Sequence, residues 1–239
     1  MRVVSRTNRG LVRENNEDSI LVKLPRLFAI ADGMGGHQAG EVASNEAVKY
    51  LNQTNFQGLK DEAILPFMSQ TVQAVNAKIW QITKENKALE GMGTTLTMLY
   101  LLDDGRACVA HVGDTRIYLL QGTGLKKVTS DHSFVAELVR NKQITLAEAE
   151  SHPQKNVITR AVGVAPYVEV DLFEFLLVGA KRLLLCSDGL TNMVKEDTIA
   201  ELLAGSNLAA VADTLLNKAL AAGGKDNISF IILDLEGCK

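Results

Sequence analysis

A chain of 239 residues, 46% hydrophobic and 22% charged, has ordinary globular composition and can bury a substantial core. Its formal net charge of −3 and lack of any basic run exclude an electrostatic case for nucleic acid, and no apolar segment reaches the ~18 residues of a membrane span. The opening residues lack the apolar block of a signal peptide. Cys108 and Cys186 lie inside apolar runs and Cys238 near the end, which reads as reduced thiols in a soluble cytoplasmic protein.

Taken in order, Arg2 to Arg6 reads as an opening strand that runs into a charged loop, Gly10-Leu11-Val12-Arg13-Glu14-Asn15-Asn16-Glu17-Asp18. Ser19 to Lys23 and Leu27 to Ala31 follow as strands turned at Pro25. From Ala39 to about Asn52, and again from Asp61 to Lys87, apolar residues recur at helical spacing. Ile64, Met68, Val72, Val75, Ile79 and Ile82 make one stripe, which is a core face. Strands are predicted at Thr94 to Leu102, Arg106 to Val112, Arg116 to Leu120 and Leu125 to Val128, joined by short Gly- and Asp-rich connections suited to antiparallel hairpins. Two small helices, Ser133 to Asn141 and Leu146 to Ser151, precede a break at His152-Pro153. Strands at Glu169 to Leu177 and Arg182 to Cys186, helices at Glu196 to Leu203 and Leu208 to Ala221, and a strand at Ile228 to Leu233 complete the chain. No linker or repeat divides it, so one domain over residues 1–239 is expected. Helices near both ends with strands mostly between predict an α+β layered fold, antiparallel sheets back to back with helices outside.

That arrangement matters because aspartates punctuate the strands. Leu27-Phe28-Ala29-Ile30-Ala31 ends in Asp32-Gly33, the strand at 106–112 in Gly113-Asp114, and the strand at 182–186 in Ser187-Asp188-Gly189, while Asp226-Asn227 precedes the last strand. Any one Asp-Gly is usually a turn, as Asp103-Asp104-Gly105 is expected to be. Gathered at one rim, Asp32, Asp114, Asp188 and Asp226 would repel one another, and at neutral pH one would take up a proton unless a cation intervened. Oxygen-only ligands favour Mg²⁺ or Mn²⁺ over Zn²⁺. Gly33, without a side chain, would let its carbonyl approach such an ion. Arg13 suits two phosphoryl oxygens, and Glu17 and Asp18 would hold ion-bound waters.

These stretches resemble the metal-dependent protein serine/threonine phosphatases, the protein phosphatase 2C family, in its compact bacterial form. The likeness runs the length of the chain in order: the Gly10–Asp18 loop, Asp32-Gly33-Met34-Gly35-Gly36-His37, Gly91-Met92-Gly93-Thr94-Thr95, Val112-Gly113-Asp114-Thr115-Arg116, Asp131-His132-Ser133, Ile158-Thr159-Arg160-Ala161-Val162-Gly163, Ser187-Asp188-Gly189-Leu190 and Asp226-Asn227. The resemblance implies a four-layer αββα sandwich, two antiparallel sheets flanked by helices, with a small flap subdomain at roughly 134–156. It implies hydrolysis of phosphoserine and phosphothreonine on proteins by attack of a metal-bridging water or hydroxide, with Mn²⁺ or Mg²⁺ as two core ions and a weaker third. Asp32 would bridge the core ions, the Gly33 carbonyl would bind one of them, and Asp188 and Asp226 the other. Asp114 with Asp188 would hold the third, and Arg13 would receive the phosphate. The implied partners are phosphorylated proteins and a cognate serine/threonine kinase, with no nucleic acid or membrane, for a monomer.

Two departures stand out. Eukaryotic relatives carry a histidine, proposed as general acid, where this chain has Met34; His37 or an ion-bound water would take that part. Thr115 replaces the commoner serine and keeps the hydroxyl. His111, His132 and His152 read as structural. Two other readings stay open at this level: a catalytically dead relative acting as a binding module, against which the full set of carboxylates speaks, and a phosphatase for small molecules or nucleotides.

Overall fold

Apolar runs such as Leu27–Ala31 leave no strand face for water, so the sheets they build need cover on both sides. The computed structural model, which describes residues 1–35 and 39–235, meets that need with helix, sheet, sheet and helix layers. One sheet runs β1 (Arg2–Asn8), β11 (Ile228–Asp234), β10 (Ala180–Cys186), β7 (Arg116–Gln121), β8 (Gly124–Lys127). The other runs β2 (Asp18–Lys23), β3 (Leu27–Met34), β5 (Leu96–Leu101), β6 (Arg106–Val112), β9 (Asp171–Leu176), with the short β4 (Gly93–Thr94) paired to the end of β3. All pairings are antiparallel.

Side chains alternate faces along each strand, and that period builds the layers. Between the sheets, Phe28, Ile30, Leu99 and Val109 meet Ile117, Leu119, Leu185 and Ile231. Their neighbours point outward. Ala29, Ala31, Met98 and Ala110 pack under α1 (Ala39–Gln53) and α2 (Asp61–Glu85), against Ala43, Ala47, Met68 and Val72. On the other side Leu184, Cys186, Phe230 and Ile232 lie under α6 (Glu196–Leu203) and α7 (Leu208–Ala221), against Ile199, Leu203, Ala212 and Leu215. Each large side chain so buried contributes about 1.5–3 kcal/mol, against the chain entropy that ordering it costs. The expected four-layer sandwich is the observed one. Cys108 and Cys186 are buried and free, and burial pushes both thiols up to about 12.

The predicted elements are all present with small changes at their ends, and three local differences have physical causes. β3 does not stop at Ala31 but continues through Asp32, Gly33 and Met34, because Gly33 and Met34 pair with Thr94 and Gly93. The strand expected from Thr94 onward is interrupted at Thr95, whose N–H donates to the Asp32 carbonyl and whose hydroxyl accepts the Asp32 N–H. α5 (Asp188–Thr191) is too short to show a period in the sequence. The two predicted short helices are α3 (Phe134–Arg140) and α4 (Leu146–Ser151), neither of which carries a fully buried residue. They project from a base closed by the Ser133–Ile158 bridge and the Phe134 N–H bond to the Val157 carbonyl.

Antiparallel pairing also gathers one rim. β10 ends where β11 begins, and β2 begins where β3 ends, with Asp18 opposite Asp32 in the ladder. β6 crosses to β7 in the other sheet through Gly113-Asp114-Thr115 at that same rim. Among the described residues no helix is long and apolar enough to cross a membrane.

Candidate active site

The rim opens on a confrontation of charges. Asp18 and Asp32 are cross-strand partners, and like charges placed so are destabilising. Burial, then Asp18, Asp188, Asp114 and Asp226 in turn, holds the Asp32 carboxyl well above the usual carboxylate range. Burial likewise raises Asp18 to about 7, with Asp188 and Asp226 adding to it, although the Ser229 and Ser187 hydroxyls bond to it and oppose the rise. Asp18 is 7% exposed and its Oδ1 has no hydrogen-bond partner among the described residues. The Asp32 backbone is held rigidly by Thr94 and Thr95, whereas its carboxylate accepts no hydrogen bond from a described residue. Gly33 is required by close packing: its N–H donates to the Glu17 carbonyl, and a Cβ there would stand 2.1 Å from the Gly40 carbonyl oxygen at the start of α1.

Asp188 opens α5, where its Oδ2 accepts from the Asn192 amide at 2.9 Å. Burial raises its carboxyl, Asp226 adds to the rise, and Arg116 opposes it. Asp114 is raised by burial, then by Asp188 and Asp131, to about 7, with Arg116 again opposing. Arg116 was part of a recognised motif but had no role in the sequence reading, and it braces this side of the rim. It donates to Asp131 Oδ2 through Nε and Nη2 (3.0 and 2.7 Å) and to the Thr191 hydroxyl at 2.7 Å, one turn beyond Asp188. Burial opposes ionisation of Asp131, but Arg116 and Lys127 outweigh it and hold that carboxyl below its usual range.

Arg13 lies on the β1–β2 loop, 52% exposed, with its Nη2 on Asp226 Oδ2 at 2.9 Å. That bond raises its pKa, and its remaining N–H donors have no partner among the described residues. Asn227 holds this loop in place: its amide donates to the Arg9 and Asn15 carbonyls, and its oxygen accepts the Glu17 N–H. Burial raises the Glu17 carboxyl while Arg13 lowers it. The structure therefore brings Asp18, Asp32, Asp114, Asp188 and Asp226 within electrostatic reach of one another, with Arg13 and Glu17 at the edge. Among the described residues no group of three or more Asp, Glu, His or Cys side chains stands close enough as placed to hold a metal ion. An all-oxygen donor set with a bare, buried carboxylate oxygen fits a hard divalent cation.

His37 lies outside the described residues. Met34, at the end of β3, has no titratable group. His111 is buried, with Nδ1 on the Thr97 hydroxyl and Nε2 on the Ser130 carbonyl, and burial lowers it to about 4. His132 Nδ1 accepts the Gly113 N–H, and its Nε2 meets Asp171 at 3.1 Å. His152 Nδ1 accepts the Gln154 N–H. Thr115 keeps its hydroxyl in use, 2.6 Å from that of Thr95.

Comparison with solved structures identifies the class first. The serine/threonine phosphatase Stp1 from Staphylococcus aureus aligns with a TM-score of 0.91 at 35% identity, covering 98% of this chain and 95% of that one. The catalytic domain of the serine threonine protein phosphatase PstP, solved with two manganese ions, aligns at 0.87 and 39% identity over 98% and 97% of the two chains. The "Serine/threonine phosphatase stp" of Listeria monocytogenes is 41% identical over 237 residues, 96% of this chain and 94% of its own. Residues 9–222 match the family model described as Protein phosphatase 2C. The chain belongs to the protein phosphatase 2C family, as its motifs indicated, and is a protein phosphatase.

Proposed function

We propose that this chain removes phosphate from phosphoserine and phosphothreonine in proteins with Mn²⁺ or Mg²⁺ at the acidic rim, opposing a serine/threonine kinase of the same cytoplasm. The observation that carries this reading is the bare, buried Asp18 Oδ1 in a carboxylate set that faces Asp32 across the ladder. Asp32, the Gly33 carbonyl, Asp188 and Asp226 would hold two core ions, with Asp18 and Glu17 on their waters. When bound, such a pair supplies an acidified water as nucleophile and neutralises phosphoryl charge.

The protein's own groups do the rest. Arg13 is tethered to Asp226 by one N–H and offers its other donors, in a fixed plane, to two phosphoryl oxygens. Asn227 keeps that guanidinium in place by fixing the loop at three backbone groups. Burial of the rim strengthens each of these attractions relative to water. His37, which follows Met34-Gly35-Gly36 in the sequence, would protonate the leaving alkoxide. Residues 1–239 act as one monomeric catalytic domain in which residues 134–156 form the flap over the substrate.

The test is hydrolysis of phosphoserine and phosphothreonine peptides with Mn²⁺ and with excess EDTA. Turnover should require the added metal and fall to background in EDTA; full activity in EDTA overturns the reading. Asp114→Ala tests the third ion, held with Asp188. Turnover should fall about tenfold at Mn²⁺ concentrations that saturate the two core sites. Rates equal to wild type across a Mn²⁺ titration would remove Asp114 from the account.

A further inference from the structure

A buried carboxylate in a finished structure normally has both oxygens satisfied. The Ser187 hydroxyl donates to Asp18 Oδ2 at 2.8 Å, the nearby Ser229 side chain opposes the rise in its pKa, and Oδ1 has no hydrogen-bond partner among the described residues. Leaving a desolvated, charged oxygen unpaired costs more than leaving a neutral one, so this asymmetry opposes stability.

The two serines are themselves oriented. Both are fully buried, Ser187 just past the end of β10 and Ser229 near the start of β11, two strands of the sheet opposite the one that carries Asp18. The Ser229 N–H donates to Ser187 Oγ at 3.1 Å, which occupies a lone pair of that oxygen and leaves its proton for Asp18. Thr7 Oγ1 accepts the Asn16 amide at 2.7 Å and lies 2.8 Å from Ser229 Oγ. Asn16 Oδ1 in turn accepts the Asp18 N–H.

We infer that Ser187 is a positioning residue that locks Asp18 with Oδ1 turned to the rim, where it completes the water shell of a hard divalent cation. This deepens the proposed function and rests on it. Partners of this kind, which act through the group that meets the ion or its water, typically change metal affinity 10–100-fold.

The test is Mn²⁺ titration of the whole chain, reading free ion by its electron paramagnetic resonance signal. Ser187→Ala should weaken the tighter binding by about tenfold or more. Ser187→Thr, which keeps the hydroxyl, should keep the wild-type affinity. In an Asp18→Asn background Ser187→Ala should add nothing, an interaction that a general loss of packing would not give. Melting curves in EDTA establish that each variant is folded; if Ser187→Ala does not fold, Ser187→Cys and its combination with Asp18→Asn decide the matter alone. An affinity of the deciding variant within twofold of wild type, or an equal loss with and without Asp18, overturns the inference. Wild-type protein that binds no Mn²⁺ would instead overturn the proposed function.

Discussion

Asp32→Asn should abolish phosphopeptide hydrolysis, by at least about a thousandfold, and yet raise the melting temperature of the metal-free protein. The loss of rate follows if this carboxylate bridges both core ions, since several kcal/mol of transition-state stabilisation leave with it. The gain in stability follows from the ladder. Asp32 faces Asp18 and feels Asp188, Asp114 and Asp226, with no compensating hydrogen bond from a described residue. An amide of the same shape removes one charge from that group and can donate to the bare Asp18 oxygen. About 1 kcal/mol of relief would appear as roughly 2–4 °C in a domain of this size. Mn²⁺ should then raise the melting temperature of wild type strongly and of the variant little, since a ligand stabilises only the fold that binds it. Hydrolysis near the wild-type rate, or a metal-free variant that melts lower, would contradict the assignment.

The largest loss of stability is expected at Arg116. Its guanidinium holds a buried carboxylate, Asp131, and the Thr191 hydroxyl, so it joins β7, the segment after β8 and α5. Arg116→Met keeps much of the packing volume but leaves Asp131 with Lys127 as its cationic partner. Breaking a buried pair from one side costs on the order of 3–5 kcal/mol, which in a domain of this length is a melting temperature lower by about 10 °C. Asp131→Asn in the same background should recover part of that loss, because the uncompensated charge goes with it. Thermal unfolding of the two variants measures this directly. A single variant as stable as wild type would show that the ion pair contributes nothing. At permissive temperature Arg116→Met should also weaken Mn²⁺ binding, since Asp188 and its turn of helix lose their brace.

The fold was legible because its strands are covered on both sides. Runs such as Ile228–Leu233 and Leu183–Cys186 are apolar at every position but Ser229, and covering both faces keeps such strands from water. Turns announced themselves through Asp and Gly, as at Asp103-Asp104-Gly105. What local pattern could not supply was pairing at a distance. The extension of β3 past Asp32 depends on Gly93 and Thr94, some sixty positions away, so an aspartate that looked like the end of a strand lies within one. Four residues of α5 carry no period to detect.

The acidic residues of the candidate site were legible for a related reason: a carboxylate beside an apolar run has no ordinary place in a core. Their supports were hidden because each is polar in an unremarkable way. Ser187 and Ser229 look like small strand residues, and Thr95 and Thr97 like β-branched ones, yet all four hydroxyls are buried and bonded. Arg116 and Asn227 stood inside recognised motifs without assigned work, because their partners are 15 or more positions away. A usable signal was present all the same. A hydroxyl or guanidinium inside a strand whose neighbours are all apolar must satisfy its donors somewhere, and the acidic rim is the nearest claimant.

Manganese anomalous scattering from crystals soaked in Mn²⁺ tests the central claim most directly. The account predicts two peaks about 3.5–4 Å apart at the rim, with Asp32 touching both and Asp188 and Asp226 on one of them. Peaks elsewhere, or an empty rim in crystals of protein that still hydrolyses phosphoserine peptides under the soaking conditions, would contradict it.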